Sequence, residues 1–192
     1  MVEIRIHGRG GQGVVTASDL DAMAAFHEGH HAQAFPSFGS ERTGAPVVSN
    51  CRVEDREIRS REPVLQPDII IVQDPTLLTV MDVFSGLKPG GYALINSSKT
   101  LEELELEDVL KKTDADHLVT VPASELAREH LGRPLPNAAL LGAMSALTGL
   151  VDIASVEGAI KQRFHGRLGD SNSAAARAAY DYVKESADAE AN

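Results

Sequence analysis

The chain has 192 residues, of which 43% are hydrophobic, enough to bury the core of a single domain. Its net charge of −10 argues against a nucleic-acid surface, because binding to phosphate backbones needs clustered Lys and Arg. The apolar runs are too short to cross a bilayer, and the N-terminus has no signal-peptide pattern. We therefore expect a cytoplasmic protein that binds neither nucleic acid nor membrane.

The first motif is a glycine-rich turn. An alternating run from Val2 to Ile6 predicts a strand, the segment HGRGGQGVVT follows from His7, and a helical pattern extends from about Gln12 to Glu28. Glycines at such a junction permit positive φ angles, and the N-terminus of the helix offers unpaired N–H donors. The spacing of Gly8, Gly10 and Gly13 fits the dinucleotide-binding fingerprint, so the turn is predicted to bind an anion.

The next element of a nicotinamide site is missing. Such a site needs an acidic residue at the end of the second strand, about 20 residues after the turn. Glu28 precedes the second predicted strand, His31 to Phe35, and Pro36 follows that strand. We therefore keep the phosphate-binding hypothesis and disfavour NAD. The alternative is that the glycines only let the helix and strand pack closely.

The segment from Ala34 to Pro46 contains two prolines and two glycines, which predicts a loop. Hydroxyl groups and the guanidinium of Arg42 can donate to phosphate or carboxylate oxygens there. The alternative is a packed surface loop in which Arg42 pairs with Glu41.

The remaining elements alternate between strand and helix. Pro67 to Asp74 contains the clearest strand, and its β-branched residues predict burial on both faces. Gln73 and Asp74 stand at its carboxyl end, where open α/β sheets place their ligands. Asp74 could contact a ligand or cap a helix that starts near Thr76, and the cap is favoured. An acidic stretch at 102–108 should lead into a short helix ending at Lys111 and Lys112. Further strands are predicted at 47–52, 53–58, 92–96 and 117–121, and further helices at 122–130, 137–150, 156–164 and 171–183.

This order predicts an α/β fold: a doubly wound, mostly parallel sheet with flanking helices and a helical C-terminal cover. The two strands at 47–58 are expected to make an antiparallel excursion at one sheet edge, and small residues at 138–146 to permit close helix contact. A single domain should span residues 1–185, followed by a frayed acidic tail at 186–192.

Self-sufficient catalytic machinery is not evident. Cys51 is the only cysteine, so this chain cannot hold an iron–sulfur cluster by itself, and we expect Cys51 to be a small packing residue. His27, His30 and His31 lack the spacing of a metal site and are interpreted as a surface cluster. The sequence contains no Gly-Asp-Gly motif for thiamine diphosphate. These features favour a subunit over a complete enzyme.

Two stretches together resemble a known family. The run from His7 to Ala17, followed by the run from Ala32 to Val47, is similar to the gamma subunit of 2-oxoacid:ferredoxin oxidoreductases. Residues 137–143 also resemble that family. The resemblance implies a complex that converts a 2-oxoacid, such as pyruvate, 2-oxoglutarate or ketoisovalerate, and coenzyme A into acyl-CoA and carbon dioxide and reduces ferredoxin.

The resemblance also implies where the cofactors bind. Thiamine diphosphate, Mg and [4Fe–4S] clusters belong to partner subunits, whereas this chain lies on the coenzyme A side of the site and is inactive when isolated. The turn would hold phosphate or pantetheine groups through backbone N–H groups and the Gln12 amide, and the loop would lie near the catalytic centre or the subunit seam. The candidate cofactor-binding residues are Gly8, Arg9, Gly10, Gly11, Gln12, Gly13, Ser37, Phe38, Gly39, Ser40 and Arg42. No catalytic residue and no metal ligand is predicted.

Two alternatives stay open at this point. The glycine turn, together with the Pro89-Gly90-Gly91 turn before a strand, also occurs in S-adenosylmethionine- or nucleotide-binding α/β enzymes, although the acidic residue they place after the second strand is absent. The chain could also be a structural assembly subunit whose turn binds no ligand.

Overall fold

A mixed sheet of six strands organises the chain in this computed structural model, which describes residues 1–37, 43–60, 62–111 and 114–190. The strands are β1 (Val2–Arg9), β2 (His31–Pro36), β3 (Pro46–Glu54), β4 (Ile69–Val72), β5 (Tyr92–Asn96) and β6 (Leu118–Val121). The helices are α1 (Val14–His27), α2 (Glu107–Leu110), α3 (Ala123–Leu131), α4 (Asn137–Thr148), α5 (Ile153–Arg163) and α6 (Gly166–Glu190). Short 3₁₀ helices span Pro75–Thr79 and Ala115–His117.

The strand order is β2-β3-β1-β4-β5-β6. β1, β4, β5 and β6 are parallel, whereas β3 pairs antiparallel with both β1 and β2. β4 lies inside the parallel part, and all four of its residues are buried because each face of the sheet is covered. The parallel strands place their carboxyl ends at one edge of the sheet, where open α/β sheets bind ligands.

The two faces of the sheet are covered differently. Ile4, Ile6 and Ile71 pack with the helices α1, α3, α4, α5 and α6 in the larger core. Ile70 and Ile95 point to the opposite face and pack against short helices and extended chain. The predicted α/β class, with a mostly parallel sheet and a helical C-terminal cover, is confirmed.

Small residues bring α4 and α6 into close contact. A Cβ atom on Gly142 would collide with the backbone of Ala176, so only glycine permits this approach. Ala138, Ala143 and Ala146 are buried beside it in the same helix. The predicted role of small residues in α4 is confirmed.

Three local predictions need correction. A second strand at 53–58 is wrong: β3 runs without interruption to Glu54, and the antiparallel excursion is made by β2 and β3. The helix predicted to end at Lys111 and Lys112 ends at Leu110, and Lys112 lies outside the described residues. The tail expected to be frayed from residue 186 is helical as far as Glu190. Within the described residues, no helix has both the length and the apolar character needed to cross a membrane.

Candidate functional site

The carboxyl edge of the parallel strands gathers the polar residues of the candidate site. The glycine turn follows β1, Gln73 and Asp74 follow β4, and Asn96 ends β5. The N-termini of three helices of at least nine residues, α1, α3 and α4, also lie at this edge. Topology therefore brings together residues that are far apart in sequence.

The turn requires glycine at its different positions for different structural reasons. Gly11 and Gly13 have φ angles of 89° and 71°, in the left-handed region that side chains disfavour. Gly8 instead lies against the start of α1, where an added Cβ would come 2.5 Å from Cγ2 of Val14. Gly8 therefore serves packing, as the alternative hypothesis for the turn proposed, whereas Gly11 and Gly13 set the path of the backbone.

Several predicted donors are already engaged within the chain. The N–H of Gly10 donates to the carbonyl of Ala45 at 2.8 Å, and the N–H of Gln12 donates to the carbonyl of Arg9 at 3.1 Å. The Gln12 side-chain amide donates to Oδ2 of Asp74 at 2.7 Å. These contacts shape the turn.

The N–H groups of Gly11 and Gly13 have no hydrogen-bond partner among the described residues. Both glycines line a cavity of about 420 Å³ together with Arg9, the first turn of α1 and Thr43. The first turn of α1 contains no acidic residue, so the positive end of the helix dipole is not neutralised there. This cavity has the chemistry of an anion-binding site.

Asp74 joins the turn to the neighbouring strand. Its Oδ1 accepts from the N–H and the hydroxyl of Thr76 at 3.0 and 2.6 Å, so it caps the 3₁₀ helix as predicted. Arg9 lies 3.3 Å from Oδ2 of Asp74. Burial raises the pKa of Asp74, but hydrogen bonds from Thr76 and Gln12 and the charge of Arg9 outweigh it and lower the pKa overall. The carboxylate is therefore ionised and ties three segments together.

A second cavity, of about 280 Å³, lies on the other side of the turn and shares Gly11 with the first. Gln73, Asn96 and Ser124 line it, and of these the sequence predicts only Gln73 to lie at the edge where ligands bind. Asn96 donates from Nδ2 to the carbonyl of Gln73 and to Oγ of Ser124, both at 2.9 Å. Their signal in the sequence was position alone: polar residues at a strand end or helix start.

The predicted loop is only partly described. Ser37 continues the sheet, since its N–H donates to the carbonyl of Val48 at 2.9 Å and its Oγ accepts from Asn50 at 2.9 Å. Ser37 is exposed, but it does not line the cavity of about 420 Å³ that Gly11 and Gly13 line. Phe38, Gly39, Ser40, Glu41 and Arg42 lie outside the described residues.

Cys51 and the histidines have structural surroundings. Cys51 is buried in β3, and burial raises the pKa of its thiol well above the ordinary value. Its predicted role as a small packing residue is confirmed. His27 contacts Gln162 and His30 contacts Asp55, both at 2.9 Å near the surface. In the ranges that the structure describes, no group of three or more His, Cys, Asp or Glu could hold a metal ion.

The strand order and the flanking helices define an α/β protein, and comparisons with known proteins identify its family. Residues 3–182 match the family described as pyruvate ferredoxin/flavodoxin oxidoreductase. The chain is 50% identical over 181 residues to the pyruvate/ketoisovalerate oxidoreductases common subunit gamma of Thermococcus litoralis, which covers 94% of this chain and 96% of that protein. It is 46% identical over 186 residues to the pyruvate synthase subunit PorC of Methanothermobacter marburgensis, covering 97% and 99%.

A solved structure agrees with these relatives. The crystal structure of the pyruvate oxidoreductase subunit PORC from Thermotoga maritima superposes with a TM-score of 0.78 at 36% identity, covering 94% of this chain and 95% of that one. The chain therefore belongs to the pyruvate ferredoxin/flavodoxin oxidoreductase family, as a gamma subunit. The resemblance stated from the sequence is confirmed.

Proposed function

We propose that this gamma subunit belongs to a complex that oxidatively decarboxylates a 2-oxoacid with coenzyme A, and that its glycine turn binds the phosphates of coenzyme A. The products are acyl-CoA, carbon dioxide and reduced ferredoxin. The names of the relatives, pyruvate synthase and pyruvate/ketoisovalerate oxidoreductase, support pyruvate as the 2-oxoacid over 2-oxoglutarate.

The observation that carries the proposal is the pair of N–H groups at Gly11 and Gly13. They have no partner among the described residues, and they line a cavity at the positive end of α1 that Arg9 also lines. Phosphate oxygens accept hydrogen bonds, and their charge interacts favourably with a helix N-terminus. Coenzyme A carries a pyrophosphate and a further phosphate, which such a cavity suits.

The remaining cofactors are assigned to other subunits. A [4Fe–4S] cluster needs several thiolates, and this chain has one cysteine, which is buried. Thiamine diphosphate, with Mg, supplies the electron sink for decarboxylation when bound in its own subunit. We therefore propose a thiamine-binding subunit, an iron–sulfur subunit and ferredoxin as partners, a cytoplasmic location and an isolated chain without activity.

The test compares two substitutions at one position. Gly11→Asn and Gly11→Asp have nearly the same shape, and both residues tolerate the left-handed region better than most. Only Asp adds a negative charge to the cavity. In the assembled complex, we expect Gly11→Asp to raise the KM for coenzyme A about tenfold over Gly11→Asn, with the KM for the 2-oxoacid unchanged.

Equal KM values for coenzyme A in the two variants would show that no phosphate binds at this turn. The chain would then act as a structural assembly subunit, provided that both variants still form the complex. Recovery of the chain from its own cells without a thiamine-binding or iron–sulfur subunit, and without coenzyme-A-dependent dye reduction, would contradict the proposed complex itself.

A further inference from the structure

The side-chain amides of Gln73 and Asn137 hydrogen-bond to the backbone of the glycine turn. Gln73 is only 2% exposed, and its Nε2 donates to the carbonyl of Gln12 and to Oδ1 of Asn137. Asn137 in turn donates from Nδ2 to the carbonyl of Gly13 at 3.0 Å. The amides therefore reach two consecutive carbonyl groups of the turn, one from the end of β4 and one from the start of α4.

The direction of a carbonyl fixes the direction of the next N–H. In a trans peptide the C=O and N–H bonds point to opposite sides of the chain. A carbonyl of Gln12 held toward Gln73 directs the N–H of Gly13 away from Gln73, and a carbonyl of Gly13 held toward Asn137 directs the N–H of Val14 away from Asn137. Gly13 and Val14 both line the cavity beside Thr43.

We infer that Gln73 and Asn137 are positioning residues, an amide brace that fixes two consecutive peptide planes so that the N–H groups of Gly13 and Val14 face the anion. The inference rests on the proposed binding of coenzyme A at this turn. Fixing donors before the ligand arrives lowers the entropic cost of binding, so the brace should act on affinity for coenzyme A.

The surroundings leave the brace little freedom. A Cβ atom on Gly13 would collide with the Asn137 amide, so the contact is as close as a glycine allows. Asn96 holds the backbone carbonyl of Gln73 at 2.9 Å. The orientation of the Gln73 amide is also determined, because a flipped amide would set its oxygen against the oxygens of Gln12 and Asn137.

Two substitutions of Gln73 separate donation from packing. Gln73→Met keeps the length of the side chain and removes the donor, whereas Gln73→Glu keeps its shape and sets a carboxylate against two acceptor oxygens. In the assembled complex, we expect the KM for coenzyme A to rise about tenfold in Gln73→Met and further in Gln73→Glu. The kcat at saturating coenzyme A and the KM for the 2-oxoacid should stay within about twofold of the wild type.

A substitution of Asn137 and a control substitution of a remote glutamine complete the experiment. Asn137→Leu removes the second link at similar size, and its effect should not add to that of Gln73→Met because both interrupt one chain of hydrogen bonds. The control is Gln66→Met, the same change at an exposed position before the amino end of β4. It should leave both KM values unchanged.

The outcomes distinguish the brace from the proposed function. If Gln73→Met keeps the wild-type KM for coenzyme A while Gly11→Asp raises it, the brace is overturned and the coenzyme A site stands. If neither substitution moves that KM, the proposed function fails as well. A fall in kcat and in complex yield with no change in KM would assign Gln73 a purely structural role and overturn the inference, and Gln73→Met decides the matter if Gln73→Glu does not assemble.

Discussion

Gln12 links the backbone of its own turn to Asp74 on the neighbouring strand end. Its Oε1 accepts from the N–H of Arg9 at 2.8 Å, and its Nε2 donates to Oδ2 of Asp74 at 2.7 Å. The sequence predicts a direct ligand contact for this amide, but both ends of the amide group are occupied within the chain. Gln12 therefore acts on the shape of the turn.

The pair should be coupled in stability. Gln12→Met removes both hydrogen bonds at nearly constant volume, and Asp74→Asn sets an amide in place of the acceptor carboxylate. We expect each variant to lower the free energy of unfolding by about 1–2 kcal/mol. The double variant should lose less than the sum, with a coupling of about 1 kcal/mol, in denaturant unfolding of the full chain. Strict additivity would show that the contact contributes nothing.

Asp21 should make the stability of the chain depend on pH. This aspartate of α1 is 2% exposed, its Oδ2 has no partner among the described residues, and burial raises its pKa to about 7. The folded chain therefore keeps a proton between pH 4 and 7 that the unfolded chain has lost. The contribution of this group to stability is greatest below pH 4 and falls by roughly 4 kcal/mol as pH rises to 7.

Asp21→Asn removes that dependence, because the amide carries no charge at any pH. We expect the variant to have a higher Tm than the wild type at pH 8 and a flatter profile of Tm against pH from 5 to 8. Asp19→Asn, an exposed position on the same helix, is the matched control and should leave the profile unchanged. The assignment would be contradicted if the Tm of the wild type rose from pH 5 to 8 and the Asp21→Asn substitution lowered that Tm.

The strands and long helices were predictable because their signals are local. Four β-branched residues in a row identify β4, and the alternation from Val2 to Ile6 identifies β1. The false strand at 53–58 shows the limit of such patterns. Residues 54–57 are all charged and do not alternate, and β2, the strand that pairs with β3, has its last paired residue there, with His31 opposite Glu54.

The site was predictable only where one segment carries it. The glycine turn is recognisable from its sequence. The hydrogen bonds made by the N–H groups of Gly10 and Gln12 are not, because they depend on Ala45 and on the local backbone path. Gln73 and Asn137 are 64 residues apart, and only the sheet topology brings their amides together. Such pairings have no periodicity or motif, so no inspection of the sequence alone could assign them.

Cys51 should be inert toward alkylating reagents in the folded chain. Burial excludes the reagent and raises the pKa of the thiol, and only the thiolate reacts at a useful rate. We expect no modification by iodoacetamide at pH 8 under native conditions and complete modification in denaturant, measured as intact mass. Rapid native modification at full folded signal would contradict the buried position.

The contact of α4 with α6 gives a test of packing with an internal reference. Gly142→Ala and Gly158→Ala make the same change inside two helices, and replacing glycine by alanine in a helix interior stabilises the helix by about 1 kcal/mol. At Gly142 the added methyl group would collide with the backbone of Ala176, whereas at Gly158 it would meet only the exposed ring of His27 at 3.0 Å.

Overpacking against backbone cannot be relieved by rotating a side chain, so Gly142→Ala should lower the free energy of unfolding by about 2 kcal/mol. Gly158→Ala should leave it unchanged or raise it slightly in the same denaturant titration, and equal effects at both positions would contradict the close approach of the two helices.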